Sequence, residues 1–304
     1  MKKEIMRGIA APLLTPYRPD GTVDCEAYER LTAYVTGQGV HAVFVGGTTG
    51  EFVNLTLEER MRLLAAARKG VKNGARIMLN VTAMNLRDLA ALLDCARENG
   101  ADAVSVTPPY YHKYDAAALT AYFCRVAQMA GELPLYLYNM PGMTGNPISA
   151  PVLRDTVQRC PNLMGIKDSS MDFMTLLEYQ CAVDKPGFEV ITGNDAQVLA
   201  ALQSGAAGGV IAMASVFPAL CRSIWDKFCA GDLAGARAAQ TTVLHLRELA
   251  RSIMPVMSHK AMLEEQGFPM GPARFPMREL TAAEQAHVCA ALRELGLAQS
   301  GLAS

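Results

Sequence analysis

A (β/α)8 TIM barrel with a C-terminal helical appendage is the α/β fold predicted by three features of this 304-residue sequence. Apolar runs of strand length alternate with segments of helical period almost from end to end. Glycine recurs where a helix ends ahead of the next strand. Polar residues gather just after the strand candidates, the end at which barrels of parallel strands carry chemistry.

The strand candidates are residues 8–14, 42–46, 76–82, 103–107, 133–139, 163–167, 189–193 and 209–213, eight in all. Between them, residues 27–36 place Tyr28, Leu31, Thr32 and Val35 on one stripe, and residues 86–96 do the same with Leu86, Leu89, Ala90 and Leu93. Helix starts are marked by Asp24, Thr56 (with Glu59 three residues on), Asn85, Asp115 and Ser149. Gly39, Gly100 and Gly205 stand where left-handed C′ residues are expected. Strictly alternating βα units imply a parallel sheet, and eight of them close a barrel. The rival, an open doubly wound sheet, lacks a G-x-G-x-x-G after its first strand. After residue 228 the pattern turns all-helical, over 232–252, 254–266 and 281–295, with a Pro/Gly-rich connection at 267–276. Residues 1–228 are therefore read as the barrel and 229–304 as a helical extension packed on it.

Half the residues are hydrophobic and 19% are charged, so a large core forms readily. A net charge of -1 gives no electrostatic case for nucleic acid or an anionic membrane. The eight cysteines contain no C-x-x-C pair and read as buried, reduced thiols. The opening MKKEIMRGIAAPLL resembles a weak signal peptide, but Arg7 and Pro12 interrupt it, and no later run reaches the ~18 apolar residues of a membrane span. A cytoplasmic protein is expected.

The centre of interest is Leu163-Met164-Gly165-Ile166-Lys167-Asp168, an apolar run that ends in a lysine. A lysine there has its stem in the barrel wall and its amine at the mouth. Burial disfavours the ammonium and favours a free amine able to attack a carbonyl. The alternative is a lysine reaching for water or pairing with Asp168. Gly46-Gly47-Thr48-Thr49-Gly50-Glu51 offers amides and two hydroxyls to a small carboxylate, or is simply a tight βα turn. Tyr138 could be a core residue with a satisfied hydroxyl, and Asp195 reads as the N-cap of the next helix. The five histidines have no metal-ligand spacing, so neither a metal nor another cofactor is expected.

Taken in order, Gly47-Thr48-Thr49-Gly50-Glu51, Tyr138-Asn139-Met140-Pro141, Gly165-Ile166-Lys167-Asp168 and Thr192-Gly193-Asn194-Asp195 resemble the dihydrodipicolinate synthase/N-acetylneuraminate lyase family. The resemblance covers nearly the whole chain. It implies a carbon–carbon lyase of the class I aldolase type, acting through a Schiff base on pyruvate or a 2-oxo acid and assembled as a homotetramer or dimer. It makes Lys167 the Schiff-base lysine and Tyr138 a proton relay aligned with Thr48. Tyr111, with Tyr110 as the second choice, would complete the relay from a neighbouring subunit. Thr48 and Thr49 would hold the pyruvate carboxylate, and the backbone at Gly193 and Ile211 would line the pocket near the imine. A lone phenol carries protons poorly at neutral pH, whereas a chain of hydroxyls can pass them on.

Three positions depart from the pattern. Met143 stands where the synthases hold the carboxylate of aspartate semialdehyde with an arginine, and a thioether cannot replace that bidentate fork. Thr48 replaces a serine typical of the sialic-acid lyases, and Ala196 replaces their acidic residue. The Met143-Thr144-Gly145 ending is more like the aldolases of 2-keto-3-deoxy sugar acids. The alternatives are 4-hydroxy-tetrahydrodipicolinate synthase, then N-acetylneuraminate lyase or a non-catalytic 2-oxo-acid-binding protein.

Overall fold

A computed structural model describes residues 5–298; residues 1–4 of the signal-like opening and 299–304 of the expected extension lie outside the described residues. Eight strands form the barrel: β1 (Gly8–Pro12), β2 (Ala42–Val45), β3 (Arg76–Asn80), β4 (Ala103–Val106), β5 (Leu135–Asn139), β6 (Leu163–Asp168), β7 (Glu189–Thr192) and β8 (Gly208–Val210). They pair in chain order into a closed ring, every pair parallel, with Gly8 opposite Gly208 at the closure. Each strand is buried on both faces, which is why the sequence reads there as apolar runs rather than alternation. Outward side chains such as Val43, Leu79, Val104, Leu137 and Ile166 pack under the helices.

The barrel's inside is filled by small residues (Ala10, Ala42, Ala103) set against large ones (Phe44, Met78, Tyr136, Tyr138). Gly165 belongs to this fit, since a Cβ there would lie 2.5 Å from the Tyr136 ring and 2.4 Å from the Glu189 carbonyl. At the floor, Glu189 accepts the Met6 amide at 3.1 and 3.2 Å and the Tyr136 hydroxyl, so its buried carboxylate is fully engaged.

The local signals held. Asp24, Thr56, Asn85, Asp115 and Ser149 all cap helices, Thr56 in a complete capping box with Glu59. Gly39, Gly100 and Gly205 take φ of 89°, 63° and 99°, a region closed to most side chains.

Three expectations need correction. The last strand stops at Val210, and the chain turns into a 3-10 helix at Ala212–Ser215. The cause is long-range: the Asp195 carboxylate accepts the Met213 amide at 2.8 Å. Asp195 is accordingly not an N-cap. Asn194 caps its short 3-10 turn instead, through the Ala196 amide, and burial raises the Asp195 carboxyl above its ordinary range. All eight cysteines are free, but Cys95, Cys160 and Cys221 alone are buried, while Cys181 and Cys229 are exposed.

Beyond the helix Pro218–Cys229 lie three further helices, Leu233–Ser252, Pro255–Glu265 and Ala282–Glu294. Gln240 of the first bonds the Asp195 carbonyl (2.7 Å) and the Leu199 amide (3.0 Å). The Pro/Gly-rich connection returns to the barrel mouth, where Met270 accepts the Tyr17 amide and Arg274 pairs with Glu59 at 2.7 Å. No helix among the described residues is long and apolar enough to cross a membrane.

Within Pro255–Glu265, His259 is buried with its Nδ1 unpartnered, and burial pushes its imidazole down to about 4. Between pH 6.5 and 4 the unfolded chain therefore takes up a proton that the folded chain refuses. Stability should be constant above about pH 6.5 and fall as the pH drops, by on the order of 3 kcal/mol from this residue. His41, lowered chiefly by burial, adds to the same slope. Urea denaturation at pH 7.5 and 5 should show the loss, and His259→Leu should flatten it; equal slopes in the two proteins would exclude His259 as the cause.

Candidate active site

Strand alternation turns Lys167 toward the barrel axis and Asp168 to the outside. Lys167 sits level with Tyr138 on β5 and Ile191 on β7 and is 4% exposed. Its Nζ lies 4.0 Å from the Tyr138 ring centroid and 4.7 Å from that of Phe44. Among the described residues no carboxylate pairs with it. Asp168, the neighbour that could have done so, is held by Asn139 Nδ2 and Ser170 Oγ, each at 2.8 Å. Gly193 makes room for the lysine stem, because a Cβ there would come to 2.9 Å from Lys167 Cε and 1.9 Å from Ser169 Oγ. These neighbours leave a buried amine at the end of β6 with aromatic faces around it.

Two hydroxyls meet beside it. Thr48 Oγ1 and Tyr138 OH are 3.2 Å apart, with either able to donate. Thr48 and Thr49 are both half-buried on the turn after β2. That turn is fixed from three sides: Asn80 donates to the Gly46 carbonyl at 2.8 Å, Thr15 donates to the Gly50 carbonyl at 2.7 Å, and Glu51 ends it at φ 59°. Glu51 is buried against Lys260 of the helix Pro255–Glu265, Nζ to Oε1 2.7 Å, off the line of a good hydrogen bond. The Lys260 amine also lies 4.4 Å from the Tyr17 ring, and Arg274 stacks over the same ring at 4.3 Å. Burial holds the Lys260 ammonium below its ordinary range, against the pull of Glu51. Sequence reading missed this buttress. The residues are remote in the chain, and the one local sign was a charged residue closing a glycine turn.

The other expected site residues are Ile211, Tyr111 and Tyr110. Ile211 is buried, with its amide on Ala10 and its carbonyl on Ala214. Tyr111 is 89% exposed at φ 80°, its ring edge-on to His112 and outside its own chain's cavity. Tyr110 instead lines a cavity of about 180 Å³ next to Thr48, with Met140 and Met143. Asn146 ties the Tyr110–Tyr111 loop down through the Pro109 and His112 carbonyls and the Tyr114 amide, at 2.8, 2.7 and 3.0 Å. Among the described residues no cluster of His, Cys, Asp and Glu is arranged to hold a metal ion.

A buried, uncompensated lysine at the C-terminal mouth of a closed (β/α)8 barrel, beside a bonded pair of hydroxyls, defines a barrel enzyme with an amine at its centre. The chain belongs to the dihydrodipicolinate synthetase family, whose family model matches residues 5–295, and it is a lyase of that family. It is 34% identical over 293 residues to an uncharacterized DapA-like lyase of Halobacterium salinarum, covering 96% of this chain and 95% of that one. It is also 34% identical to a 4-hydroxy-tetrahydrodipicolinate synthase of Streptomyces coelicolor, covering 93% and 92%. Among solved structures it superposes on YagE, a prophage protein of the dihydrodipicolinic acid synthase family from E. coli K12 in complex with pyruvate. The TM-score is 0.92 at 27% identity, covering 96% and 99% of the two chains. KD(P)GA from T. tenax gives a TM-score of 0.86 at 30% identity, covering 95% and 99%.

The Glu51–Lys260 pair predicts a sign reversal. Lys260→Met strands a buried carboxylate and should cost about 3–5 kcal/mol, while adding Glu51→Gln should return most of it. Chemical denaturation of both variants checks this; a double variant no more stable than Lys260→Met would mean that the two residues are not coupled.

Proposed function

We propose that the protein is a Schiff-base lyase that makes or breaks a carbon–carbon bond with pyruvate, or a closely related 2-oxo acid, as one partner. The observation that carries the reading is Lys167: buried, without a carboxylate partner among the described residues, and in reach of the Thr48–Tyr138 pair. The pyruvate in the E. coli K12 relative supports the choice of 2-oxo acid.

The amine attacks the keto carbon, the carbinolamine loses water, and the protonated imine then draws electrons from the adjacent carbon. Either a methyl proton leaves or a C–C bond breaks, and both give the same enamine. The Thr48 and Thr49 turn holds the carboxylate through its amides and hydroxyls. Tyr138, bonded to Thr48, passes protons to and from the reacting oxygen. Gly193 leaves space at the imine, and the chain at Ile211 closes the pocket behind it. Tyr111, turned away from its own cavity, serves the site of a second copy in a homodimer or homotetramer. The free thiols suit the cytoplasm as the setting.

Borohydride added with pyruvate should fix a three-carbon adduct on Lys167, read by peptide mass spectrometry; an unlabelled Lys167 would falsify the mechanism. Lys167→Ala should abolish turnover, and Tyr138→Phe should lower kcat by roughly 10²–10⁴-fold with little change in KM. An unaltered kcat would remove Tyr138 from the proton path. Mixing Lys167→Ala and Tyr111→Phe subunits tests the shared site: if Tyr111 acts across the boundary, each hybrid pair regains one intact site, whereas action within its own chain gives no recovery.

A further inference from the structure

The cavity lined by Thr48 adjoins the nucleophile's surroundings through the Thr48–Tyr138 hydrogen bond, which makes it the candidate seat for the second half of the substrate. Its walls are Phe52, Val53, Met140 and Met143, the last 70% exposed at the rim. The remaining lining is four hydroxyl-bearing residues, and among the described residues of this chain no charged side chain lines it. Three of those hydroxyls already have partners and keep only acceptor capacity to offer. Thr107 donates to the Pro108 carbonyl at 2.9 Å, Thr144 faces the Met140 and Asn146 carbonyls at 3.1 and 3.2 Å, and Thr48 is bonded to Tyr138. The Tyr110 hydroxyl is left, with no hydrogen bond among the described residues.

The nearby cations already have backbone partners, although the Arg60 Nε has none among the described residues. Arg60, behind Phe52, donates to the Asn80 and Thr82 carbonyls at 2.6 and 2.8 Å, and Lys113 donates to the Gly145 carbonyl. A polyhydroxylated tail placed here loses water at several hydroxyls and finds threonine oxygens to donate to but few donors to accept from, at about 1–3 kcal/mol for each group left unmet. A carboxylate fares worse.

We infer that the second substrate is an aldehyde with an uncharged apolar tail, aryl or branched alkyl, bearing at most one polar group, which Tyr110 would meet. The inference rests on the Schiff-base reading. In the forward step the enamine carbon of bound pyruvate bonds to the aldehyde carbon, whose π electrons move to its oxygen. That oxygen takes a proton through Tyr138, and water then hydrolyses the imine to release a 4-hydroxy-2-oxo acid and the free lysine. Cleavage runs the same steps backward. The sugar-acid expectation drawn from Met143-Thr144-Gly145 fits this cavity less well, because Met143 adds to the apolar wall.

The test is kcat/KM for benzaldehyde, isovaleraldehyde, glyceraldehyde and succinic semialdehyde, each with saturating pyruvate and the full-length protein. The apolar pair should lead the polar pair by about tenfold or more. Met143→Arg, at an exposed position that tolerates exchange, should raise the value for succinic semialdehyde and lower it for benzaldehyde. Pyruvate trapped on Lys167 together with a preference for glyceraldehyde or succinic semialdehyde, or with no turnover of either apolar aldehyde, would overturn this inference and leave the Schiff-base reading standing. Failure to trap pyruvate at all would overturn both.

Discussion

Everything at the barrel mouth depends on how the stem of Lys167 is packed. The strand β6 carries it inward between β5 and β7, where a Tyr138 face, a Phe44 face and the bare backbone of Gly193 surround it. A carboxylate in place of any of these would hold the lysine in an ion pair, and the nucleophilic role proposed for it needs that partner to be absent. Aromatic faces surround the amine without supplying a fixed counter-charge. Asp168 would be the obvious counter-ion, but strand alternation sends it outward, where Asn139 and Ser170 occupy it.

The same mouth is stiffened from outside the barrel. The turn that carries Thr48 and Thr49 ends in Glu51, and Glu51 is held by Lys260 from the helices that follow the barrel. Arg274, bridging Glu59 and the Tyr17 ring, fastens the same region a second time. An isolated buried ion pair contributes little net stability compared with an apolar pair of the same shape. Its value here is positional: it fixes a left-handed residue at the end of the turn that carries Thr48 and Thr49.

The barrel and its caps were legible because their causes are local. Apolar runs report strands buried on both faces, and Thr56 with Glu59 or glycine at 39, 100 and 205 report single turns of chain. Lys167, Thr48 and Tyr138 stood out at strand ends, but only the family resemblance singled them out from a snorkelling lysine, a tight turn and a core tyrosine; the structure places Tyr138 beside both of the others. What failed was governed by distance. Asp195 resembles a cap, but its partner is Met213, which also cuts β8 short. Glu51 and Lys260 look like surface charges until the tail folds back. Tyr111 is exposed and does not line its own chain's cavity, so the role proposed for it is a question about two chains, which the sequence of one reaches only through family resemblance. The apolar outer cavity could not be read at all, since Phe52, Val53, Met140 and Met143 converge there from separate loops.

The most direct measurement is a crystal structure of the protein soaked with pyruvate. The account predicts unbroken electron density from Lys167 Nζ to the keto carbon, with the carboxylate seated on the Thr48–Thr49 turn. Pyruvate absent from the barrel mouth, or Lys167 swung out into solvent with no bond to it, would contradict the account.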